Sequence, residues 1–262
     1  MRSLSIAATG MLAQQLNVEV ISNNIANVNT TSYKRQRAEF QDLLYQNQRR
    51  VGSSSSSNGT VVPTGVQLGL GVKAAAVYRI SSQGNLTSTD NTLDLAVQGN
   101  GYFQVTLPNG ETAFTRAGSF QLSPTGSIVT SEGYALAPGI TIPSDATSVT
   151  INSSGEVLVQ LDGQVAEQNV GTIDLANFPN PAGLQMVGGN LLLQTPASGQ
   201  PKVGAPGTPG FGTILQGFLE TSNVNIVQEI TNLITAQRAY EMNSKVIQTS
   251  DEMMAQLNQL RG

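Results

Sequence analysis

The chain has 262 residues, enough for one large domain or two modest ones, and its formal net charge is −4. Only 11% of the residues are charged, 39% are hydrophobic, and there is no cysteine, histidine or tryptophan. Disulfides and thiolate metal sites are therefore excluded, and the commonest general base and metal ligand is missing, which argues against an enzyme. Residues 80–200 hold nine acidic side chains and one basic one, Arg116, which argues against nucleic-acid binding.

The N-terminal segment is predicted to be a helix of the mature protein. Residues 1–15 begin like a weak signal peptide, but Ser3, Ser5 and Thr9 dilute the apolar stretch, and no apolar run approaches the ~20 residues that cross a bilayer. The short polar side chains of residues 23–40 compete for backbone hydrogen bonds and are expected to end the helix in an ordered turn. A seven-residue interval, which keeps one side of a helix facing a partner helix, separates Leu4, Met11, Val18 and Ile25.

The middle of the chain, residues 81–220, is predicted to be β-rich. Apolar residues alternate at Phe103, Val105 and Leu107, and turn signals such as Pro108-Asn109-Gly110 recur at short spacing. This pattern predicts an antiparallel meander that forms a small barrel or sandwich. With a helix at each end, the predicted fold class is α+β.

The C-terminal segment repeats the helical pattern. Asn225, with Gln228 three positions on, is predicted to cap the helix. Polar residues such as Gln15 and Gln237 interrupt the apolar stripe of each helix. A coiled-coil-like pair of the two terminal helices would therefore be marginal alone and better stabilised in a bundle of several subunits. An intramolecular helix hairpin packed on the core is the alternative. The seven-residue series, with Ile230 beside it, is Ile226, Leu233, Tyr240, Ile247 and Met254.

Three weaker patterns have structural readings that are favoured over functional ones. Residues Gly69, Gly71 and Ala74 match a dinucleotide-binding pattern, but no helical period follows, so a glycine-relieved strand is favoured. Two pairs of acidic residues stand beside turn residues: Asp90 with Asp94, and Glu156 with Asp162. They are expected to lie in solvated loops and not to form the carboxylate pair of a glycoside hydrolase. The basic cluster of Lys34, Arg35 and Arg37 is expected to form a solvated face or interface salt bridges, with phosphate binding as the alternative.

Four separated stretches carry the most specific signal. They are NNIANVNTTSYKRQRAEF at 23–40, GNGYFQV at 99–105 with TRAGSFQLSPTGSIVTSEGYAL at 115–136, ETSNVN at 220–225, and QRAYEMNSKVIQTSDEM at 237–253. In this order they resemble segments of the flagellar basal-body rod and hook protein family. The residues that carry the family motif are Asn23, Asn24, Asn27, Asn29, Tyr33, Arg238, Tyr240 and Asn243.

The resemblance implies a domain organisation. Residues 1–30 and 221–262 would form a helical inner domain that lines an axial channel and folds on assembly. Residues 31–80 would connect it to the outer β domain at 81–220, with an insertion around 47–65.

The resemblance also implies a function. The chain would be a structural subunit that assembles into a hollow helical tube, transmits torque from motor to hook and lets exported subunits pass. Residues 37–46 and the segment after them are most similar to the members that form the distal rod, and a proximal rod or hook subunit is the alternative.

The implied partners are further copies of the chain, proximal rod proteins, the hook protein or hook–rod contacts, the peptidoglycan and outer-membrane ring proteins, the rod cap and the flagellar type III export apparatus. No nucleic acid, membrane insertion, metal or cofactor is expected. The expected location is the periplasmic rod of the basal body, reached by export without a cleaved signal peptide.

Deletion of residues 52–60, the low-complexity run GSSSSSNGT, is expected to leave export intact but to alter rod shape or stiffness. The reason is the resemblance of the 47–65 segment to a region linked to a straight, stiff rod. Electron microscopy of rods and a swimming assay measure the effect. Wild-type rods, hooks and motility in the deletion strain would contradict this prediction.

Overall fold

The computed structural model describes residues 2–49, 64–164 and 166–261, so residues 52–60 and most of the predicted insertion lie outside the described residues. The described chain has the predicted α+β fold, with a helix at each end and antiparallel strands between them. It divides into two compact units. Unit 1 comprises Met1–Ala26, Gln36–Tyr78 and Asn225–Gly262, and unit 2 comprises Asn27–Arg35 and Arg79–Val224.

Unit 1 combines the two helices with two pairs of strands. Helix α1 spans Arg2–Ala26 and helix α2 spans Ile226–Arg261. In the described part of the chain, neither helix has an apolar stretch of the length that bilayer crossing requires. The strand pairs are β1 (Gln36–Asp42) with β4 (Val72–Arg79), and β2 (Tyr45–Arg49) with β3 (Val66–Gly69).

The polar residues predicted to bound the helices do so. The turn after α1 has a hydrogen bond from Thr30 N to Asn27 O at 3.2 Å. At the start of α2, Asn225 Oδ1 accepts the N–H of Gln228 at 3.1 Å, which confirms the predicted N-cap. The Gln228 side chain does not return the bond of a capping box, because its Nε2 donates to Asn232 Oδ1 at 3.0 Å.

The glycine pattern at residues 69–74 belongs to the connection between β3 and β4. Gly71 has a φ of 120°, and a Cβ there would meet Thr9 Oγ1 at 2.2 Å. Glycine is therefore required for backbone conformation and close approach. Since strand β4 follows where a nucleotide site needs a helix, the interpretation as a glycine-relieved strand is confirmed.

Unit 2 is built almost entirely of short strands, with a single turn of 3₁₀ helix at Pro181–Gly183. In chain order the strands are β5 (Leu86–Ser88), β6 (Leu95–Gln98), β7 (Tyr102–Thr106), β8 (Thr112–Thr115), β9 (Phe120–Leu122), β10 (Ile128–Thr130), β11 (Ala135–Leu136), β12 (Ala146–Ile151), β13 (Glu156–Leu161), β14 (Gln168–Thr172), β15 (Leu175–Asn177), β16 (Gln185–Gly188), β17 (Leu191–Leu193), β18 (Lys202–Gly204), β19 (Thr213–Gln216) and β20 (Phe218–Glu220).

The largest sheet of unit 2 has nine strands and stays open. Its path runs β16-β17-β8-β7-β11-β10-β9, and β15 joins β7 and β18. One edge of β7 is shared, because β15 pairs with Tyr102 and Phe103 while β11 pairs with Val105 and Thr106. The sheet therefore forks at β7, and the predicted barrel or sandwich is not confirmed, since the described strands form no closed barrel.

Three smaller sheets complete unit 2. They are β12-β13-β14, β19-β6 and β20-β5. The last two bring the C-terminal end of the unit against its first strands, with Ile214 opposite Val97 and Leu219 opposite Thr87. The unit is thus completed only by residues 213–220.

The apolar core lies in unit 2. Its largest cluster contains Phe103, Phe120 and Ile173, each at most 1% exposed, and the Phe103 and Phe120 rings meet edge to face with centroids 5.3 Å apart. A second cluster centres on Phe114 and Phe178, whose ring centroids are 4.7 Å apart. Burial of such side chains contributes roughly 1.5–3 kcal/mol each, so unit 2 has a substantial source of stability of its own.

Candidate assembly surface

The seven-residue series of both helices lie beside the buried centre of the helix pair. Their half-buried members are Leu4, Met11, Val18, Ile25, Leu233, Ile247 and Met254, and their exposed members are Ile226, Ile230 and Tyr240. The fully buried apolar side chains of unit 1 are small for the most part: Ala7, Ala13, Val20, Ile21 and Ala236.

The two helices meet through small and polar residues. Ser3 Oγ lies 3.4 Å from Ser250 Oγ, a Cβ on Gly10 would meet Asn243 Nδ2 at 2.9 Å, and Asn24 Nδ2 donates to Glu229 Oε2 at 3.1 Å. Each advance of seven or fourteen residues along α1 is matched by an equal step back along α2. The helices are therefore antiparallel, and this line of contacts is called the seam below.

Exposed apolar side chains concentrate in unit 1. Of the 21 large hydrophobic side chains that are exposed among the described residues, only four belong to unit 2: Leu122, Met186, Val187 and Val203. Single exposed apolar residues are normal on a protein surface, but their concentration in the unit with the smaller core indicates an interaction surface.

On α2 the exposed apolar residues form two lines outside the seam. Val227, Ile230 and Ile234 follow one another at three and four residues, so they share one face of the helix. Met242, Val246 and Met253 follow at four and seven residues and share another. Together these lines leave α2 apolar on surfaces that α1 does not cover.

The β2–β3 hairpin adds a third apolar surface to unit 1. Its exposed side chains include Leu44, which is 82% exposed, and Tyr45, Val66 and Leu68. The two strands pair antiparallel, with Tyr45 opposite Gly69 and Gln46 opposite Leu68, and the register shifts between Asn47 and Arg49. The chain that leaves β2 and returns at β3 is the predicted insertion.

Unit 2 contains a buried charge cluster around Glu220. The Glu220 side chain is fully buried, and its two oxygens accept Lys34 Nζ at 2.5 Å and Arg116 Nε at 2.7 Å. The N–H of Gly84 also donates to Glu220 Oε1 at 2.8 Å. Arg116 further donates to Gly101 O at 2.8 Å, so the carboxylate is the centre of a network that spans the unit from residue 34 to residue 220.

The electrostatics of the cluster follow from this geometry. Burial alone would raise the pKa of Glu220, but Arg116 and Lys34 outweigh it and hold the pKa below its ordinary value. The pKa of Lys34 is also lowered, because its burial outweighs the attraction of a carboxylate that it shares with Arg116. Since Glu220 faces two cations, its ionised form is the strongly stabilised member of the cluster.

Among the remaining charged candidates, one acid of each predicted pair and two residues of the basic cluster have side-chain partners within the chain. Asp94 accepts Thr89 Oγ1 at 2.7 Å and Asn91 Nδ2 at 3.0 Å, and Glu156 accepts Asn152 Nδ2 at 2.6 Å. These carboxylates therefore order turns. In the basic cluster, Lys34 belongs to the buried network of unit 2, and Arg37 pairs with Glu39 at 2.9 Å in unit 1. The Arg37 pair lies on a solvated face, as one of the two predictions had it, whereas Lys34 forms a buried salt bridge within the chain and not the predicted interface salt bridge.

Comparisons with known proteins agree along the whole chain. Family models match as "Flagella basal body rod protein" at residues 4–34, "Flagellar hook protein FlgE/F/G D1 domain" at 96–159 and "Flagellar basal body rod FlgEFG protein C-terminal" at 215–260. The flagellar basal-body rod protein FlgG of Caulobacter vibrioides is 62% identical over 100% of both chains, and that of Agrobacterium fabrum is 53% identical over 97% of both. The chain belongs to the flagellar basal-body rod protein family.

Membership confirms the resemblance found in the sequence. Members of this rod family are structural proteins, and the chain is not an enzyme. A crystal structure of the Helicobacter pylori flagellar hook protein FlgE2 covers 71% of this chain and 43% of its own at 16% identity, with a TM-score of 0.27, which is too low to carry an argument.

The motif residues of the rod family have different structural roles. Asn24 is buried and bonds to both β1 and α2, whereas Asn23 and Asn29 are exposed. Thr30 Oγ1 donates to Asn27 Oδ1 at 3.0 Å inside the turn, and Tyr33 O accepts the N–H of Asn223 at 3.4 Å. Near the other end, Arg238 pairs with Glu241 on the α2 surface, and Asn243 lies against Gly10 in the seam.

Two residues of the ETSNVN stretch have roles that the sequence alone did not assign. Besides Glu220, Asn223 accepts the N–H of Arg35 at 2.7 Å and donates to Ile80 O at 3.0 Å and Ser82 O at 2.9 Å. One amide thus joins three chain segments of unit 2. The only available signal was the position of this stretch in the rod-family pattern, since partners 104 to 188 residues away leave no local trace.

Substituting Glu220→Gln is expected to lower the free energy of unfolding of unit 2 by about 3–5 kcal/mol at pH 7, because it leaves two buried cations without their counter-charge. The lowered pKa of Glu220 makes the contribution of its carboxylate complete above the ordinary value of 4.5 and lost as the pH falls through the lower folded value. The difference between wild type and variant should therefore narrow below pH 4.5.

Urea unfolding at pH 7 and at lower pH, with hydrogen exchange of residues 86–98 and 213–220, measures this effect. The matched control is Glu111→Gln, an exposed acid of unit 2, which should change stability by less than about 0.5 kcal/mol. Equal stability of Glu220→Gln and Glu111→Gln at pH 7 would show that the network is not the stabilising centre.

Proposed function

We propose that this chain is the structural subunit of the flagellar distal rod, and that its copies assemble into a hollow helical tube. The tube transmits torque from motor to hook and lets exported subunits pass through its channel. The observation that carries the proposal is the distribution of exposed apolar side chains in a chain that matches rod proteins along its length. Unit 2 encloses a core of its own, whereas unit 1 exposes apolar side chains on α2 and on the β2–β3 hairpin.

Assembly of identical copies would cover these surfaces. A contact between two different patches of the same chain repeats without closing and generates a helical filament. The apolar lines of α2 and the β2–β3 hairpin are suitable patches, because they are separate surfaces of one unit. Each large side chain removed from water contributes roughly 1.5–3 kcal/mol, which is enough in aggregate to offset the ordering of the helices.

The helix pair itself would be coiled-coil-like and weak in isolation. The seven-residue spacing of the Ser3–Ser250, Gly10–Asn243 and Asn24–Glu229 contacts supports the coiled-coil geometry. The small seam residues provide little apolar burial, so the pair depends on neighbouring copies for stability. We assign intersubunit contacts to the seven-residue series and Ile230, namely Leu4, Met11, Val18, Ile25, Ile226, Ile230, Leu233, Tyr240, Ile247 and Met254.

The functional division follows the family pattern. Residues 1–30 and 221–262 form the inner, channel-lining domain, residues 31–80 connect the two domains and carry the insertion at 47–65, and residues 81–220 form the outer domain. The rod lies in the periplasm. Its partners there are proximal rod proteins, the hook or hook–rod contacts, the peptidoglycan and outer-membrane rings and the rod cap. The chain reaches this place through the flagellar type III export apparatus.

Electron microscopy of the concentrated full-length protein tests the proposal, beside a variant that lacks residues 1–28 and 225–262. Hollow tubes from the full-length chain alone are the expected result, because only that chain has the helices. Tubes from both proteins would refute a polymer driven by the helices. If neither assembles, the same pair is compared in cells, where failure of the full-length chain to enter rods would refute the proposal.

Ile234→Asp is expected to abolish tubes, or rods in cells, while unit 2 stays folded, because it places a charge in an apolar line of α2 that assembly would bury. The matched control is Thr235→Asp, which adds the same charge at the next, exposed position. Microscopy measures assembly, and hydrogen exchange of residues 95–105 measures the fold of unit 2. Normal tubes from Ile234→Asp would contradict the proposal that assembly buries the apolar line of Val227, Ile230 and Ile234.

A further inference from the structure

We infer that Met242 and Met253 form an oxidation site on α2, and that conversion of their thioethers to sulfoxides blocks the assembly of copies. The inference concerns the regulation of the proposed assembly surface and rests on the proposed function. In the described structure Met242 is 68% exposed and Met253 is 56% exposed. Together with Val246, which lies between them, they are called the methionine line below.

The methionine line runs along one face of α2. Met242 and Met253 are eleven residues apart, close to three turns of 3.6 residues, and Val246 stands about one turn after Met242. The neighbouring residue Asn243 lies against Gly10 of α1, so the seam takes an adjacent face of the helix. The line is therefore open to small solutes in the free chain, and it is apolar enough to be buried by a neighbouring copy.

The composition makes methionine the natural target of a mild oxidant. The chain has six methionines and no cysteine, histidine or tryptophan, so the thioether is the most easily oxidised side chain it contains. Among the described methionines, Met186, Met242 and Met253 are exposed. Met11 and Met254 are half-buried. Two of the three exposed methionines thus lie on one face of one helix.

The oxidant that this site would take is a peroxide, of which hydrogen peroxide is the simplest. A lone pair of the methionine sulfur attacks one peroxide oxygen, the O–O bond breaks, and an S–O bond forms. Sulfur loses two electrons, and the transferred oxygen gives its proton to the departing hydroxide, which leaves as water. Methionine sulfoxide reductases reverse the step with electrons from thiols.

A sulfoxide makes the methionine line polar. In the free chain water satisfies the new oxygen, so oxidation leaves the folded subunit intact. In a tube the same oxygen would lie against another copy, and burial of an acceptor without a donor is unfavourable. Oxidation therefore weakens assembly, and by linkage assembly protects the two sulfurs from the oxidant.

Peroxide treatment of the full-length chain tests the inference. Peptide mass spectrometry measures the sulfoxide at each methionine, and sedimentation with electron microscopy measures the protein concentration that assembly requires. Sulfoxides at Met242 and Met253 should raise this concentration by about tenfold or more. Treatment with methionine sulfoxide reductases and a thiol should restore the original value.

Substitutions separate the methionine line from other oxidised residues. Met242→Leu with Met253→Leu keeps apolar side chains of similar volume without sulfur, so this variant should assemble equally well before and after peroxide treatment. Met242→Gln with Met253→Gln carries permanent side-chain carbonyls and should fail to assemble without peroxide. The matched control is Met186→Leu, which removes the exposed methionine of unit 2 and should leave assembly as sensitive to peroxide as in wild type.

Two results would overturn the inference. One is normal assembly of wild-type chains whose Met242 and Met253 are shown to be oxidised. The other is an equal loss of assembly in the leucine double variant, because the effect would then come from other residues. Hydrogen exchange of residues 95–105 checks that unit 2 stays folded in every sample.

The proposed function is tested separately by the untreated wild-type chain, whose failure to enter tubes or rods would refute that function. If untreated chains assemble only in cells, rods isolated from cells are treated with peroxide. Slower oxidation of Met242 and Met253 in rods than in free chains, relative to Met186, supports the inference. Equal rates in rods and free chains refute it.

Discussion

The helix pair of unit 1 is held together by contacts that are too small and too polar to stabilise it strongly. Serine, glycine, alanine and asparagine occupy its seam, and most of the larger apolar side chains of both helices are half-buried or exposed, with Val20 and Ile21 as buried exceptions. Close backbone approach, as at Gly10, gains dispersion contacts but buries little area. The consequence is a unit that encloses little apolar surface of its own and exposes much of it. In the proposed assembly, neighbouring copies would supply the apolar burial that the seam lacks.

Unit 2 differs from unit 1, because it encloses an apolar core of its own. Its core is apolar and its last strands, β19 and β20, pair with its first, β6 and β5. Glu220 is the last residue of β20 and forms salt bridges with Lys34 and Arg116. Its carboxylate therefore holds together three segments that are distant in the chain. A buried pair of this kind adds less net stability than its charges suggest, but it tolerates few alternative arrangements. It therefore specifies how the last strands of the unit are placed against its first strands.

The sequence predicted the period of the terminal helices but not the residues at the centre of their seam. Leu4, Met11, Val18 and Ile25 mark one face of α1, yet a helix that has apolar residues on several sides does not reveal which side a partner helix takes. Gly10 and Ala236 give no hydrophobic signal at all, and small residues at a close contact are found only once both backbones are known. Local chemistry was more informative: Asn225 capped α2 as predicted, since a cap depends on residues three positions apart. The partners of Glu220 and the fork at β7 depend on residues far apart in the chain, which no local pattern encodes.

In a self-assembling chain, a polar seam gives more specific pairing than an apolar seam. An apolar seam would be more stable, but it would pair with any apolar stripe, including those that α2 exposes for other contacts. Asn24 and Glu229 restrict the choice, because a buried hydrogen bond between an amide and a carboxylate is not replaced by contact with an apolar stripe. Stability is thus separated from specificity in this rod protein. In the proposed assembly, the polar seam would select the partner helix, and the exposed apolar lines would provide the energy once neighbouring copies are in place.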